Sequence, residues 1–217
     1  MRRITRHIIL FLVSSVTGAT FYLALAPESP IWRISMASAY GGLVLLSLSL
    51  IIGPWNRLRG HPNPVSGYFR RDIGIWAGVL GIVHVIVGLQ VHFRGKMWLY
   101  FLPPADATYT FPMRIDPFGL TNYAGLGAIL ILLLLLFLSN DASLRALGAR
   151  RWKSLQRWNY AGAMLVVAHG LVYQILEKRT VGFIVVCATI VLFALAMQFA
   201  GFSTGKKQRN GSWRRPN

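Results

Sequence analysis

Residues 72–92 read DIGIWAGVLGIVHVIVGLQVH. After Asp72 this stretch carries no ionisable side chain except His84 and His92. Its length matches the roughly 20 apolar residues that a helix needs to span a hydrocarbon layer. In lipid the backbone must satisfy its own hydrogen bonds, so the run reads as a helix. Working outward, five more runs of this kind lie at about 8–26, 34–53, 122–138, 158–176 and 181–201. They account for a chain of 217 residues that is 54% hydrophobic and only 13% charged, about half the charged share of a soluble domain. The expected fold class is an all-α membrane protein, a bundle of six transmembrane helices. Residues 1–201 form its one domain, and 202–217 read as a basic, disordered tail.

The net charge of +17 invites a nucleic-acid reading, which fails once the charges are placed. Seventeen of the 23 Lys and Arg residues fall ahead of the first run, at 57–71, at 145–157 and after 201. The alternate connections hold only six: Arg33, Arg94, Lys96, Arg114, Lys178 and Arg179. Cationic loops stay on the cytoplasmic side, so both termini are expected there, in a multi-pass protein of a bacterial inner (plasma) membrane. The basic balance reflects topology and attraction to membrane lipid, and no nucleic-acid partner is expected.

Arg2, Arg3 and Arg6 before the first run, with Ala24-Leu25-Ala26 after it, resemble a cleaved signal. The length of the run and Pro27 just past the cleavage point favour an uncleaved anchor. Cys187 stands alone, which leaves no disulfide framework and no Cys-based haem attachment. The six carboxylates lie in loops or at the ends of runs, which argues against a proton-coupled transporter. Asp72 has a structural role available at the positive end of its helix.

Histidines inside membrane helices are costly and default to a functional reading. His7 and His61 sit at the inner side and read as solvated. His84 lies 12 residues beyond Asp72 and His169 lies 11 beyond Trp158, on runs that cross in the same direction. At 1.5 Å per residue both stand roughly 17 Å above the inner boundary. Two imidazoles at one depth could approach a flat macrocycle from opposite sides, the arrangement of a low-spin, electron-carrying haem b. Gly74, Gly78, Gly81, His84, Gly88 and His92 share one helix face about 120° wide. That face would admit a planar cofactor against Gly81 and Gly88, or else a closely packed helix. Gly162, His169 and Tyr173 form a second stripe. His92, at the outer edge, could meet a haem propionate, bind a metal or face water.

The connection 93–121 interleaves Trp98, Tyr100, Phe101, Tyr109, Phe111 and Phe118 with Pro103, Pro104, Pro112 and Pro117. It reads as an aromatic belt at the interface, with a lid over a cofactor edge as the alternative.

Arg70-Arg71-Asp72-Ile73-Gly74-Ile75-Trp76 leading to His84, and Arg151-Trp152-Lys153-Ser154-Leu155-Gln156-Arg157-Trp158-Asn159-Tyr160 leading to His169, resemble the ferric-reductase-like transmembrane domain superfamily. Within it the second segment looks most like the haem-binding membrane subunit of the periplasmic protein-methionine-sulfoxide reductase system. The resemblance implies an oxidoreductase, or its membrane electron-transfer subunit, with His84 and His169 as iron ligands. Where two-haem members carry a second ligand pair, this chain has Arg70 and Gln156. Neither suits iron, so one haem is expected, and quinone or FMN could bind near them instead. No Gly-rich dinucleotide motif is present. Electrons are then expected from membrane quinol or a separate soluble flavin reductase. They would pass to an outer-side acceptor, a periplasmic reductase subunit or ferric iron. The rival from another class is a haem-free transporter or scaffold whose histidines make interhelical hydrogen bonds.

Overall fold

In a computed structural model, which describes residues 3–61, 68–104 and 112–212, the chain is all-α. Seven helices follow one another: α1 Arg3–Ala24, α2 Pro30–Leu58, α3 Tyr68–Gly88, α4 Pro117–Leu138, α5 Asp141–Gln156, α6 Trp158–Leu176 and α7 Val181–Ser212. Among the described residues six spans are long and apolar enough to cross a membrane, and α5 precedes α6 within the fifth. Isoleucines, leucines and phenylalanines such as Ile86, Phe137, Ile175 and Phe199 point outward, a surface suited to lipid.

Helix starts are written in short capping motifs. Ser29 caps α2 through Trp32 N–H, with Pro30 in the first turn. Asp116 caps α4 by accepting from Gly119 N–H at 2.7 Å, followed by Pro117. Each cap supplies an acceptor to an otherwise orphaned donor, and proline is preset for the first turn.

The helix that the hydropathy windows pass over is α5. It is polar, broken at Gly148 where φ is 71°, and anchored by Trp152, whose indole N–H donates to Leu138 O at 2.9 Å. Its residues were expected as a basic connection. The last run was expected to end at 201, yet the backbone stays helical to Ser212.

Helix α2 packs between α3 and α7, α4 packs on α6, and α1 lies against α2 and α3. Pro54 interrupts α2 and cannot bond the Leu50 carbonyl. Gln198 of α7 donates to that carbonyl at 2.7 Å. Gly201 then lets α7 cross close by, since a Cβ there would stand 2.6 Å from the Pro54 ring.

Ion pairs from Arg6 to Asp72 and from Arg71 to Asp141 gather α1, α3 and α5 at one end of the bundle, and Arg57 donates there to Gly201 O. This is called the terminal end here. The opposite, far end carries the 3-10 turn Met97–Tyr100 and the α6–α7 connection.

His7 is not simply solvated, as its position suggested. It accepts from the Trp76 indole at 3.2 Å and directs Nε2 to Asp72 at 3.4 Å. Asp72 itself is fully buried, with Arg6 at 2.8 Å and Arg3 at 3.4 Å. It thus does more than complement a helix dipole. His61 is exposed.

Candidate functional site: a paired-histidine cavity

A cavity of about 310 Å³ opens between α2, α3, α4 and α6 in the far half of the bundle. That is within the range of enclosed cofactor sites. His84 and His169 both line it, with Gly81 and Gly88 from α3. His84 stands four residues before the end of α3 at Gly88, and His169 seven before the end of α6 at Leu176.

The two imidazole rings have centroids 6.2 Å apart and planes inclined by 76°. Each is pinned by a backbone carbonyl on a neighbouring helix. His84 Nδ1 lies 3.0 Å from Ser35 O and 3.3 Å from Ser35 Oγ, both on α2. His169 Nδ1 lies 2.9 Å from Thr121 O on α4. A carbonyl only accepts, so each Nδ1 carries a proton, and in the neutral ring Nε2 then keeps its lone pair. Metal-ligating histidines are normally oriented in this way. The spacing fits as well. A metal–imidazole bond is about 2 Å and a ring centre lies about 1 Å further on, so rings on opposite sides of one metal sit roughly 6 Å apart.

Sequence reasoning missed the residue that presses hardest on this pair. A Cβ on Gly125 of α4 would stand 2.7 Å from His169 Nδ1 and 2.9 Å from Cε1. The absence of a side chain there is what seats the ring. Nothing within α4 marks that role, because it depends on which glycine meets α6. Ser35 and Thr121 escaped notice for a related reason: they act through main-chain oxygens, which every residue type possesses.

The glycine face of α3 divides its work. Gly81 and Gly88 border the cavity, whereas Gly78 faces Leu136, which a Cβ there would meet at 3.7 Å, and Gly74 lines a second cavity. On α6, Tyr173 and His169 reach the cavity, while Gly162 faces Ile131, which a Cβ there would meet at 3.1 Å.

At the far end the described part of the 93–121 connection contributes to the cavity wall. Tyr100, only 3% exposed, donates to Gly88 O at 2.8 Å and lines the cavity together with Phe101. Tyr109 and Phe111 lie outside the described residues. Tyr173 donates to Asn122 Oδ1 at 2.8 Å, and its ring stands 4.8 Å from that of His169.

His92 does not join the pair. Its Nε2 lies 3.2 Å from Glu177, among the rings of Phe93, Tyr100 and Phe118. Among the described residues there is no group of three or more His, Cys, Asp or Glu able to hold a metal ion.

Arg179 enters the cavity wall from the α6–α7 connection. Burial holds its guanidinium below the usual arginine range, with Glu177, Tyr40 and Glu28 acting in the opposite sense. Gln174 donates to Tyr40 Oη at 2.9 Å, and its side-chain Oε1 has no donor among the described residues.

Arg70 and Gln156 line the second cavity, of about 730 Å³, at the terminal end. Arg57, Arg71, Lys153, Arg157, Trp55, Trp152 and Tyr160 share that lining. Arg70 donates to Ser49 O at 2.9 Å. Arg71 Nε and Gln156 Nε2 are buried without an acceptor among the described residues. Leu46 and Leu132 line both cavities and form the partition between them.

The fold and site define a class: a multi-pass membrane bundle that brings two imidazole rings within 6.2 Å of each other in a largely apolar cavity. Comparison with known proteins points to a particular group within it. The chain is 29% identical to the protein-methionine-sulfoxide reductase heme-binding subunit MsrQ of Azospira oryzae, over 93% of this chain and 84% of that protein. It is 30% identical to MsrQ of Ralstonia nicotianae, over 73% of this chain and 65% of that one. MsrQ of Rhodospirillum rubrum is 27% identical, over 83% and 79% respectively. No protein-family model matches the chain.

Proposed function

We propose that this chain is a membrane electron carrier of the ferric-reductase-like superfamily that holds one haem b between His84 and His169. The observation that supports it best is the ring pair itself, 6.2 Å apart with each Nδ1 committed to a carbonyl. Haem supplies a reversible one-electron iron couple. The chain's own residues orient the imidazoles, and Tyr100 and Phe101 restrict water at the far opening. The relatives are heme-binding subunits of a protein-methionine-sulfoxide reductase, which supports a catalytic subunit of that reductase as the far-side acceptor, with ferric iron as the other candidate.

The excess of cationic residues at the terminal end orients that end to the cytoplasm of a bacterial inner membrane. Electrons enter there, from membrane quinol or from a separate flavin reductase. The terminal-end cavity, with Arg70 and Gln156 in its wall, is the proposed site for a quinone or FMN. It has no histidine in its described lining, in keeping with a single haem. An Arg70→Ala variant is expected to be reduced by quinol at least about tenfold more slowly, the loss of one charge-assisted contact, with its haem spectrum unchanged. An unaltered rate would remove Arg70 from the donor site.

The test of the whole reading is a visible spectrum, oxidised and dithionite-reduced, of the purified protein made with ample haem. Sharp six-coordinate b-type bands are expected, lost in both His84→Ala and His169→Ala. A colourless wild-type protein would leave the haem-free transporter or scaffold in front, with the bonds to Ser35 O and Thr121 O as its interhelical ties.

A further inference from the structure

We propose that Arg179 is the carboxylate-binding residue of the histidine-paired cavity, its guanidinium receiving a propionate of the bound haem. This rests on the electron-carrier reading and adds to it the direction in which the cofactor's acidic edge lies.

Haem b carries two carboxylates, and an anion taken into an apolar site must be paired or remain costly. Among the described residues that line the cavity, Arg179 is the only lysine, arginine or carboxylate. The other candidates for meeting an acid are spoken for. His84 and His169 commit Nδ1 to carbonyls and offer Nε2 to the metal, and His92 Nε2 is held by Glu177 at 3.2 Å.

Local backbone geometry aims Arg179 inward. Helix α6 ends at Leu176, and Lys178 adopts a positive φ of 48°, a left-handed turn that closes the helix. Arg179 N–H then donates back to Gln174 O at 3.0 Å. Lys178 is left exposed, while the Arg179 side chain retains only 14% of its surface.

The guanidinium is held but not consumed. Its carbon lies 4.8 Å from the centre of the Trp32 ring, a stacking contact that leaves N–H edges available. Its nearest carboxylate is Glu177 at 3.8 Å, beyond hydrogen-bonding distance and shared with His92. A planar fork of donors matches a carboxylate better than any other side chain.

The test compares haem with haem dimethyl ester, in which both propionates are capped and neutral. Each is titrated into the full-length apoprotein in detergent, with affinity and spectrum as readouts. The wild type is expected to prefer haem about tenfold or more. Arg179→Gln is expected to shrink that preference to within about threefold, while leaving the affinity for the ester and its six-coordinate spectrum intact. Arg179→Lys should keep part of the preference. Arg179→Gln with the full preference retained, or a wild type with none, overturns the assignment. If Arg179→Gln binds neither porphyrin, Arg179→Lys decides: a retained preference supports the assignment, and loss of the ester as well makes Arg179 purely structural and overturns it. A wild type that binds neither defeats the carrier reading itself, and this inference with it.

Discussion

Gly125→Ala is expected to lower haem affinity by about tenfold or more and to blur the six-coordinate spectrum, approaching the effect of removing His169 outright. The added methyl would stand 2.7 Å from His169 Nδ1, closer than carbon and nitrogen can approach without a shift. The ring cannot simply yield, because Nδ1 is tied to Thr121 O at 2.9 Å from the same helix that carries Gly125. Either that bond breaks, or α4 and α6 separate. In both cases the His169 ring leaves its present place beside His84. Gly127→Ala is the matched control on α4: its methyl would meet only the end of Leu165, at 3.3 Å, a side chain free to rotate away. Haem titration of both variants checks this. Equal affinities for Gly125→Ala and wild type would mean that His169 does not need its present seat.

Asp72→Ala is expected to release α1 from the bundle. Helix α1 has no fully buried residue, and its apolar hold on the core runs through a few partly buried side chains such as Leu10 and Phe21. Its attachment at the terminal end is polar: Arg6 and Arg3 reach Asp72 at 2.8 and 3.4 Å, and His7 links Trp76 to the same carboxylate. Removing one member of a fully buried pair costs about 3–5 kcal/mol. Arg6 and Arg3 keep 18% and 37% of their side-chain surface exposed, so a cost of about 2–3 kcal/mol is more realistic here. For a chain of this size that corresponds to a fall of roughly 5–10 °C in Tm. Thermal unfolding in detergent measures it. Arg6→Ala added to Asp72→Ala should cost little more, because the two residues act as one unit. Full additivity would show that they do not.

The parts of this architecture legible in the sequence are those fixed by solvent. A run that must cross lipid is apolar throughout, so six spans could be read from windows alone. A histidine inside such a run is conspicuous for the same reason, and depth alone pairs His84 with His169 in the sequence. What remained hidden depends on contacts between distant segments. The polarity of α5 gave it no hydropathy signal, and its start at Asn140 is an ordinary cap. Arg179 reads as one more loop charge until the turn at Lys178 sends it inward. His7 looks solvated until Asp72 is placed beside it. Gly74 and Gly88 sit on the same helix face, yet they border different cavities because Leu46 and Leu132 come between.

That partition has a consequence for energy conversion. Leucine offers no side-chain donor or acceptor, so Leu46 and Leu132 give a proton wire of waters no side chain to hold where the two cavities meet. Electrons need no such wire. In the proposed carrier, protons released when the donor is oxidised therefore stay at the cytoplasmic face while the electron leaves for the other side. Turnover separates charge, and an inside-negative voltage assists it, by about 2.3 kcal/mol per 100 mV for a full crossing.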